Sequence, residues 1–356
     1  MRRKRLRPCV YYLIVLIPLT VLGMERYLGI SLDVTLTNIK RVYYKNVVGI
    51  DLDKLPPPIL DITSTSSNIC YFGLHRMFDI HNPSSHLLNS RKIPKIVHQT
   101  AKSRCLTRNF EGAAVSWLLP GFSYYFHDDE AVDRLLQHHF TDFPLLNIVA
   151  QDCLSSRKAK IVFWKYLVLW AYGGIYVDIN MVRTLNLSAD TITFEDDGFF
   201  LLDQENQLLS SKFMAVSPRH PLMYYALRKA LNLSSRADNL SSVMSARNLE
   251  VSALKEALFD FYWKKECKAQ DDHTKSKSCV VDWKPKLYKG VDERTIRVAG
   301  DFEGYVGRVF KYDIGKGHEY TKMGMSGTTS SDHWNSSCFR DVLQESESVV
   351  NVSFSS

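Results

Sequence analysis

The stretch SSRKAKIVFWKYLVLWAYGGIYVDIN, residues 155–180, decides how this chain is read. Its first half carries charge, and Ser155 or Ser156 stands where a helix N-cap is wanted. Its second half is apolar nearly all round, which predicts a helix buried on every side. Gly173 and Gly174 stop that helix. IYVDI is then short, apolar and β-rich, and predicts a buried strand with Asp178 at its carboxyl end.

Working outward, the same alternation continues. Ile96-Val97, after a proline, predicts a first buried strand, and FSYYF (122–126) a second. HDDEAVDRLLQHHF (127–140) predicts a helix capped by Asp128 or Asp129. GFFLLD (198–203) predicts another strand, and SPRHPLMYYALRKAL (217–231) a turn and a helix. Strands alternating with helices predict an α/β domain around a mostly parallel sheet. The group EDDG (195–198) reads as a solvated turn before the strand that follows it.

The flanks predict secretion. Five basic residues, Arg2, Arg3, Lys4, Arg5 and Arg7, precede an uncharged run from Cys9 to Gly23, which as a helix would reach about 22 Å. That run predicts a signal-anchor transmembrane helix (9–23) after a cytoplasmic tail (1–8), with a cleaved signal peptide as the alternative. Those five residues supply most of the net charge of +7, so the body has only a slight basic excess and no charge argument for nucleic acid. Acceptor sequons stand at Asn186, Asn232, Asn239, Asn335 and Asn351. Beyond the anchor Cys70, Cys105, Cys153, Cys267, Cys279 and Cys338 are an even set that an oxidising lumen would pair, with the pairing open. Cys267 and Cys279 flank a polar loop that a local bridge could close. Residues 24–92, with LPPP and TSTSSN, read as a lumenal stem, 93–343 as the folded domain and 344–356 as a loose tail.

Ligands of open α/β sheets bind beyond the carboxyl ends of strands. Asp178 stands at such an end. If the strand runs on, Asn180 points the same way, because side chains alternate. A carboxylate and an amide oxygen are both ligands for a hard divalent cation, although the amide brings no charge.

The order IPKIVHQT (93–100), WKYLVLWAYGGIYVDIN (164–180), FMAVSPRHP (213–221) and SDHWNSSC (331–338) resembles the glycosyltransferases that carry the DXD sugar-binding motif. The resemblance runs from residue 93 to about 338 and is densest over 153–182 and 213–223. It implies a GT-A-type, Rossmann-like fold, a nucleotide-sugar donor, Mn2+ or Mg2+ as cofactor, a glycan or glycolipid acceptor and retention at the transferred anomeric carbon. It implies Asp178 as the first DXD aspartate, with metal and donor, and Asn180 in place of the second. Lys165 stands where the family usually has an arginine touching the donor sugar, and would steady the departing diphosphate. His98, Gln99, Gly174 and Tyr176 would lie by the donor, and His333, with Trp334, in a loop closing over metal and phosphates. Val162 stands where the family usually has a sugar-binding aspartate. The expectation is a type II Golgi or endoplasmic-reticulum hexosyltransferase of the mannosyltransferase kind. A silent relative that binds glycans or a partner enzyme, and a structural secretory protein, are the alternatives.

Overall fold

A computed structural model describes residues 56–64, 69–83, 91–184, 186–188, 191–203, 208–236, 246–263, 284–301, 305–308 and 338. The α-helices of five or more residues are α1 (Ile59–Thr63), α2 (Arg108–Val115), α3 (Asp129–Gln137), α4 (Arg157–Tyr172), α5 (Pro221–Arg236) and α6 (Ala246–Leu258). The strands are β1 (His75–Arg76), β2 (Ile96–Thr100), β3 (Cys105–Leu106), β4 (Ser123–His127), β5 (Gly174–Val177), β6 (Met181–Arg183), β7 (Gly198–Asp203), β8 (Leu208–Val216), β9 (Lys286–Lys289), β10 (Thr295–Asp301) and β11 (Val306–Arg308). Seven strands form one sheet in the order β4-β2-β5-β8-β7-β10-β9. β4, β2 and β5 are parallel, β8 is antiparallel to both its neighbours, and β10 is parallel to β7 but antiparallel to β9. Five of the seven therefore run one way, and the expected mostly parallel α/β sheet is what forms.

Both faces of the sheet are covered, which is why its strands read as continuous apolar runs. Val97, Tyr124, Phe126, Ile175, Val177, Phe199 and Phe213 point to one face and pack with Trp117 and Met181. The alternate residues point the other way: His98 lies against Tyr125 and Tyr172, and His127 and Tyr176 lie against Trp164 of α4. α4 is buried at almost every position from Ala159 to Ala171. Ser156 occupies its N-cap position, but its side chain makes no capping hydrogen bond. Asp128 does cap α3, accepting from Ala131 N at 2.9 Å.

The glycine pair joins α4 to β5 in a way no other residue would. Gly173 has φ +66° and donates its N–H to Leu169 O at 2.9 Å. Gly174 has φ +97°, and a Cβ there would stand 2.7 Å from Ile96 O and 3.0 Å from Ile96 Cβ. The helix-to-strand turn is thus pressed directly onto β2. Gly174→Ala is expected to cost about 2–3 kcal/mol, from a left-handed backbone and a steric clash together. Denaturant unfolding would show this as a lower midpoint at unchanged slope.

Two expectations need correcting. Residue 93 does not begin the compact part, since the described residues from Pro57 to His139 and those from Phe143 onward form one unit. Ile80 and Tyr124 exchange backbone hydrogen bonds of 2.8 Å, and Arg104 donates to Thr63 O at 2.7 Å and to Phe126 O at 2.6 Å. The described part of the expected stem is therefore built onto the β4 edge. Nor is EDDG a solvated turn. Asp196 and Asp197 are buried, Asp196 accepting from Arg297 Nε at 2.7 Å and Nη2 at 2.6 Å, and Asp197 from Ser217 Oγ at 2.5 Å. Arg294 forms an ion pair with Asp197 at 2.7 Å. Arg297, together with Thr193, holds the Asp196 carboxyl below the usual carboxylate range, against the burial that works to raise it.

Cys70 is bridged to Cys105, and Cys153 to Cys338. Cys267 and Cys279 lie outside the described residues, as do the expected anchor at 9–23 and the tail. Among the described residues no helix is long and apolar enough to cross a membrane. Two of the sequon asparagines, Asn186 and Asn232, are described, and both are exposed.

Candidate active site

The site grows from the end of β5. Val177 is the last paired residue of the strand, and the backbone N–H of Asp178 still reaches across to Lys212 O at 2.9 Å. The chain then turns at once. Met181 N donates to Asp178 O at 3.0 Å, closing a four-residue turn, and Trp117 Nε1 braces it through Met181 O at 2.8 Å. The expectation of a strand running on to Asn180 is thereby corrected. Asp178 is half-buried, while Asn180 sits on the exposed corner of the turn. Strand alternation does not hold across a turn, so it no longer argues that the two side chains share one side.

Four of the expected residues do come together. Tyr176 Oη donates to Asp178 Oδ1 at 2.5 Å. Lys165, in the middle of α4, places Nζ 3.8 Å from the same oxygen and 4.7 Å from the centre of the Tyr176 ring. Gln99 reaches the turn from β2, its Nε2 donating to Asp178 O at 3.5 Å while its Oε1 accepts from Tyr124 Oη at 2.7 Å. Tyr176 thus fixes the Asp178 carboxylate, and Gln99 fixes its backbone.

A fifth residue, Glu250 of α6, was not anticipated. It accepts a short hydrogen bond from Lys165 Nζ, which also points to Ser211 O at 3.5 Å. Tyr166 Oη donates to Glu250 O at 2.9 Å and holds α6 against α4. The signal was present but faint. Glu250 lies on the same helical stripe as the buried Ala253, Leu254 and Ala257, and an acid on an apolar stripe needs a buried partner.

The electrostatics follow from this packing. Burial works against the Lys165 charge, but Glu250 and then Asp178 outweigh it, and the ammonium is held above its ordinary pKa. Burial raises the Asp178 carboxyl, with Lys165 pulling it down and Glu250 pushing it up. Burial, with Asp178 next, carries the Tyr176 phenol well above its usual range, so it remains a donor.

The remaining candidates have other places. His98 is fully buried on the helix face, donating from Nε2 to Gly173 O at 3.0 Å and accepting at Nδ1 from His127 Nε2 at 3.2 Å. His127 is kept neutral by burial and then by its neighbours His98 and Arg104. His98 therefore locks the helix-to-strand turn, and it faces away from Gln99, its neighbour in the strand. Gly174 serves the contact with Ile96. Val162 is buried in α4. His333 lies outside the described residues.

Among the described residues, this donor set alone does not make a resident cation site. Among the described residues no three His, Cys, Asp or Glu side chains are grouped as metal ligands. Two carboxylates, those of Asp178 and Glu250, are both turned to the Lys165 ammonium.

Comparison with known proteins is consistent with this geometry. Residues 118–198, from the run-up to β4 to the start of β7, match the family described as the glycosyltransferase sugar-binding region containing a DXD motif. Over 111 residues the chain is 31% identical to inositol phosphoceramide mannosyltransferase 3 of Schizosaccharomyces pombe, a match covering 30% of each chain. Over 61 residues it is 34% identical to the putative glycosyltransferase HOC1 of Saccharomyces cerevisiae, covering 17% of this chain and 15% of that one. The matches thus span less than a third of these relatives' own length. Among solved structures, the PaToxG glycosyltransferase aligns with 51% of this chain and 71% of its own, at 15% identity and a TM-score of 0.37, a likeness too slight to carry an argument.

Proposed function

We propose that this chain, whose residues 118–198 carry the sugar-binding region of the DXD-containing glycosyltransferases, is itself a glycosyltransferase that moves a hexose from a nucleotide-sugar to a glycan or glycolipid hydroxyl. The observation that carries the reading is Asp178, half-exposed at the carboxyl end of β5 and held there by Tyr176, Lys165 and Gln99. A carboxylate so fixed is preorganised to orient a donor, and in most enzymes preorganised charge lowers the barrier more than any other single effect. The mannosyltransferase relative makes GDP-mannose the first donor to try, with UDP-hexoses next.

The transfer has a simple balance. The acceptor hydroxyl oxygen forms a bond to the anomeric carbon, the bond from that carbon to the diphosphate oxygen breaks, and the hydroxyl proton passes to the departing phosphate oxygen. On this same-face, retaining route no protein base is needed. The residues here bind and orient the donor, and α4 and β5 close the site from beneath. Mn2+ or Mg2+, implied by the DXD relatives, would supply charge to the diphosphate, but as a companion of the donor rather than a resident of this site. The basic then apolar N-terminus, the sequons and the two disulfides support a place in a secretory membrane, Golgi or endoplasmic reticulum, with the domain in the lumen.

Thermal unfolding of the full-length chain with a panel of nucleotide-sugars tests this. A native-state ligand at 100 times its Kd adds about 2.7 kcal/mol, enough to raise Tm by several degrees. One donor is expected to give that rise, and Mn2+ alone none. A rise with Mn2+ alone would instead reveal a resident metal site. A second reading, a silent relative, is favoured by the exposed Asn180 and the prior pairing of Asp178 with Lys165. It predicts donor binding with no turnover on any acceptor.

A further inference from the structure

The three charged groups at the site differ in what they offer a ligand. The Lys165 side chain is 4% exposed, that of Glu250 15% and that of Asp178 29%. The ammonium is directed to Glu250, Ser211 O and Asp178, and lies behind them. The carboxylates are what a ligand meets. Asp178 Oδ1 is taken by Tyr176 and Lys165, and Glu250 Oε1 by Lys165, which leaves the second oxygen of each without a partner among the described residues. One ammonium between two carboxylates carries a net charge of one unit negative. Such a pair repels phosphate and accepts hydrogen bonds, so its complement is either a cation or a neutral group rich in donors. A sugar ring, with hydroxyls on adjacent carbons, is such a group.

Resting on the glycosyltransferase reading above, we infer that Glu250 is a donor-sugar-binding residue: with Asp178 it forms a carboxylate pair, clasped by Lys165, that accepts hydrogen bonds from hydroxyls of the transferred hexose. Lys165 is then a positioning residue whose charge lets two carboxylates stay close together in a partly buried place. The diphosphate lies outside this pair, away from its negative charge. Glu250 comes from α6, which packs on α4 through the bond of Tyr166 to Glu250 O, so its carboxylate sits on the same rigid layer as Lys165.

The test compares wild type, Glu250→Gln and Glu250→Asp, full length, by titration calorimetry with GDP-mannose against GDP and UDP-glucose against UDP. Glutamine keeps the shape and one acceptor but removes the charge. It is expected to weaken the nucleotide-sugar by about 10- to 100-fold, the range for a hydrogen bond to a charged acceptor, and to leave the bare nucleotide within about twofold. Glu250→Asp keeps the charge but withdraws it by one methylene, and is expected to show a smaller loss of the same selective kind; it serves as the test if the glutamine variant does not fold. Equal weakening of sugar-nucleotide and nucleotide would assign Glu250 a structural role and overturn the inference. So would no weakening of either. A folded wild type that binds none of the four probes would overturn the glycosyltransferase reading itself, a result separate from either of those.

Discussion

Asp178→Ala is expected to lower kcat/KM for sugar transfer by at least about 100-fold, or some 2.7 kcal/mol of transition-state binding. The alanine removes the half-exposed carboxylate that β5 presents and leaves the buried Tyr176 hydroxyl without its acceptor. A buried hydroxyl without a partner costs about 1–3 kcal/mol of stability, so the variant should be less stable but folded. Asp178→Asn separates the two effects. Its amide oxygen still accepts from Tyr176, which preserves stability, while the charge is gone and transfer should remain low. Steady-state kinetics on both variants, with circular dichroism to confirm the fold, makes the comparison. Transfer at the wild-type rate in Asp178→Ala would remove this carboxylate from the site altogether.

The second large effect falls on stability. Lys165→Ala is expected to destabilise the protein by about 3–5 kcal/mol, the usual cost of leaving buried charges uncompensated. Against a total stability of about 5–15 kcal/mol, that is a large fraction. Lys165→Met keeps most of the packing of the side-chain stem, so a similar loss there would attribute the cost to charge and a small loss would attribute it to packing. The pH dependence follows from the sign of the Asp178 shift. Its folded-state pKa is already raised by burial, and without the opposing ammonium it rises further. A carboxyl with a raised folded-state pKa binds its proton more tightly in the native state, so its penalty is present above that pKa and fades as pH falls through it. The deficit of Lys165→Ala should therefore shrink on acidification. Urea unfolding at neutral and mildly acidic pH would show this, and a deficit independent of pH would count against the electrostatic account.

What could be read from the sequence was local. The helix of Arg157–Tyr172, the glycine stop and the strand after it follow from residues next to one another, and they form as expected. β8 was hidden because Ser210, Ser211 and Lys212 interrupt its apolar run, yet it is the strand that separates β5 from β7. The buried acids were misread for a related reason. Asp196 lies 101 residues from Arg297, and its neighbours alone look like a polar turn. Glu250 lies 85 residues from Lys165, and no spacing rule connects them. The expected strand geometry at Asp178 and Asn180 gave way to a turn after Val177, because two residues are too few to show whether a strand continues.

The Cys153–Cys338 bridge has a consequence for the topology of the polypeptide. It joins positions 185 residues apart, and Lys165, Asp178 and Glu250 all lie between them. Those three residues therefore belong to a covalent ring, and α1, β4 and β2 with Gln99 to a branch attached to it. A single backbone cut within the ring leaves every site residue on one connected molecule until the disulfide is reduced. A fragment trimmed to end before Cys338 opens the ring even though it removes none of those residues.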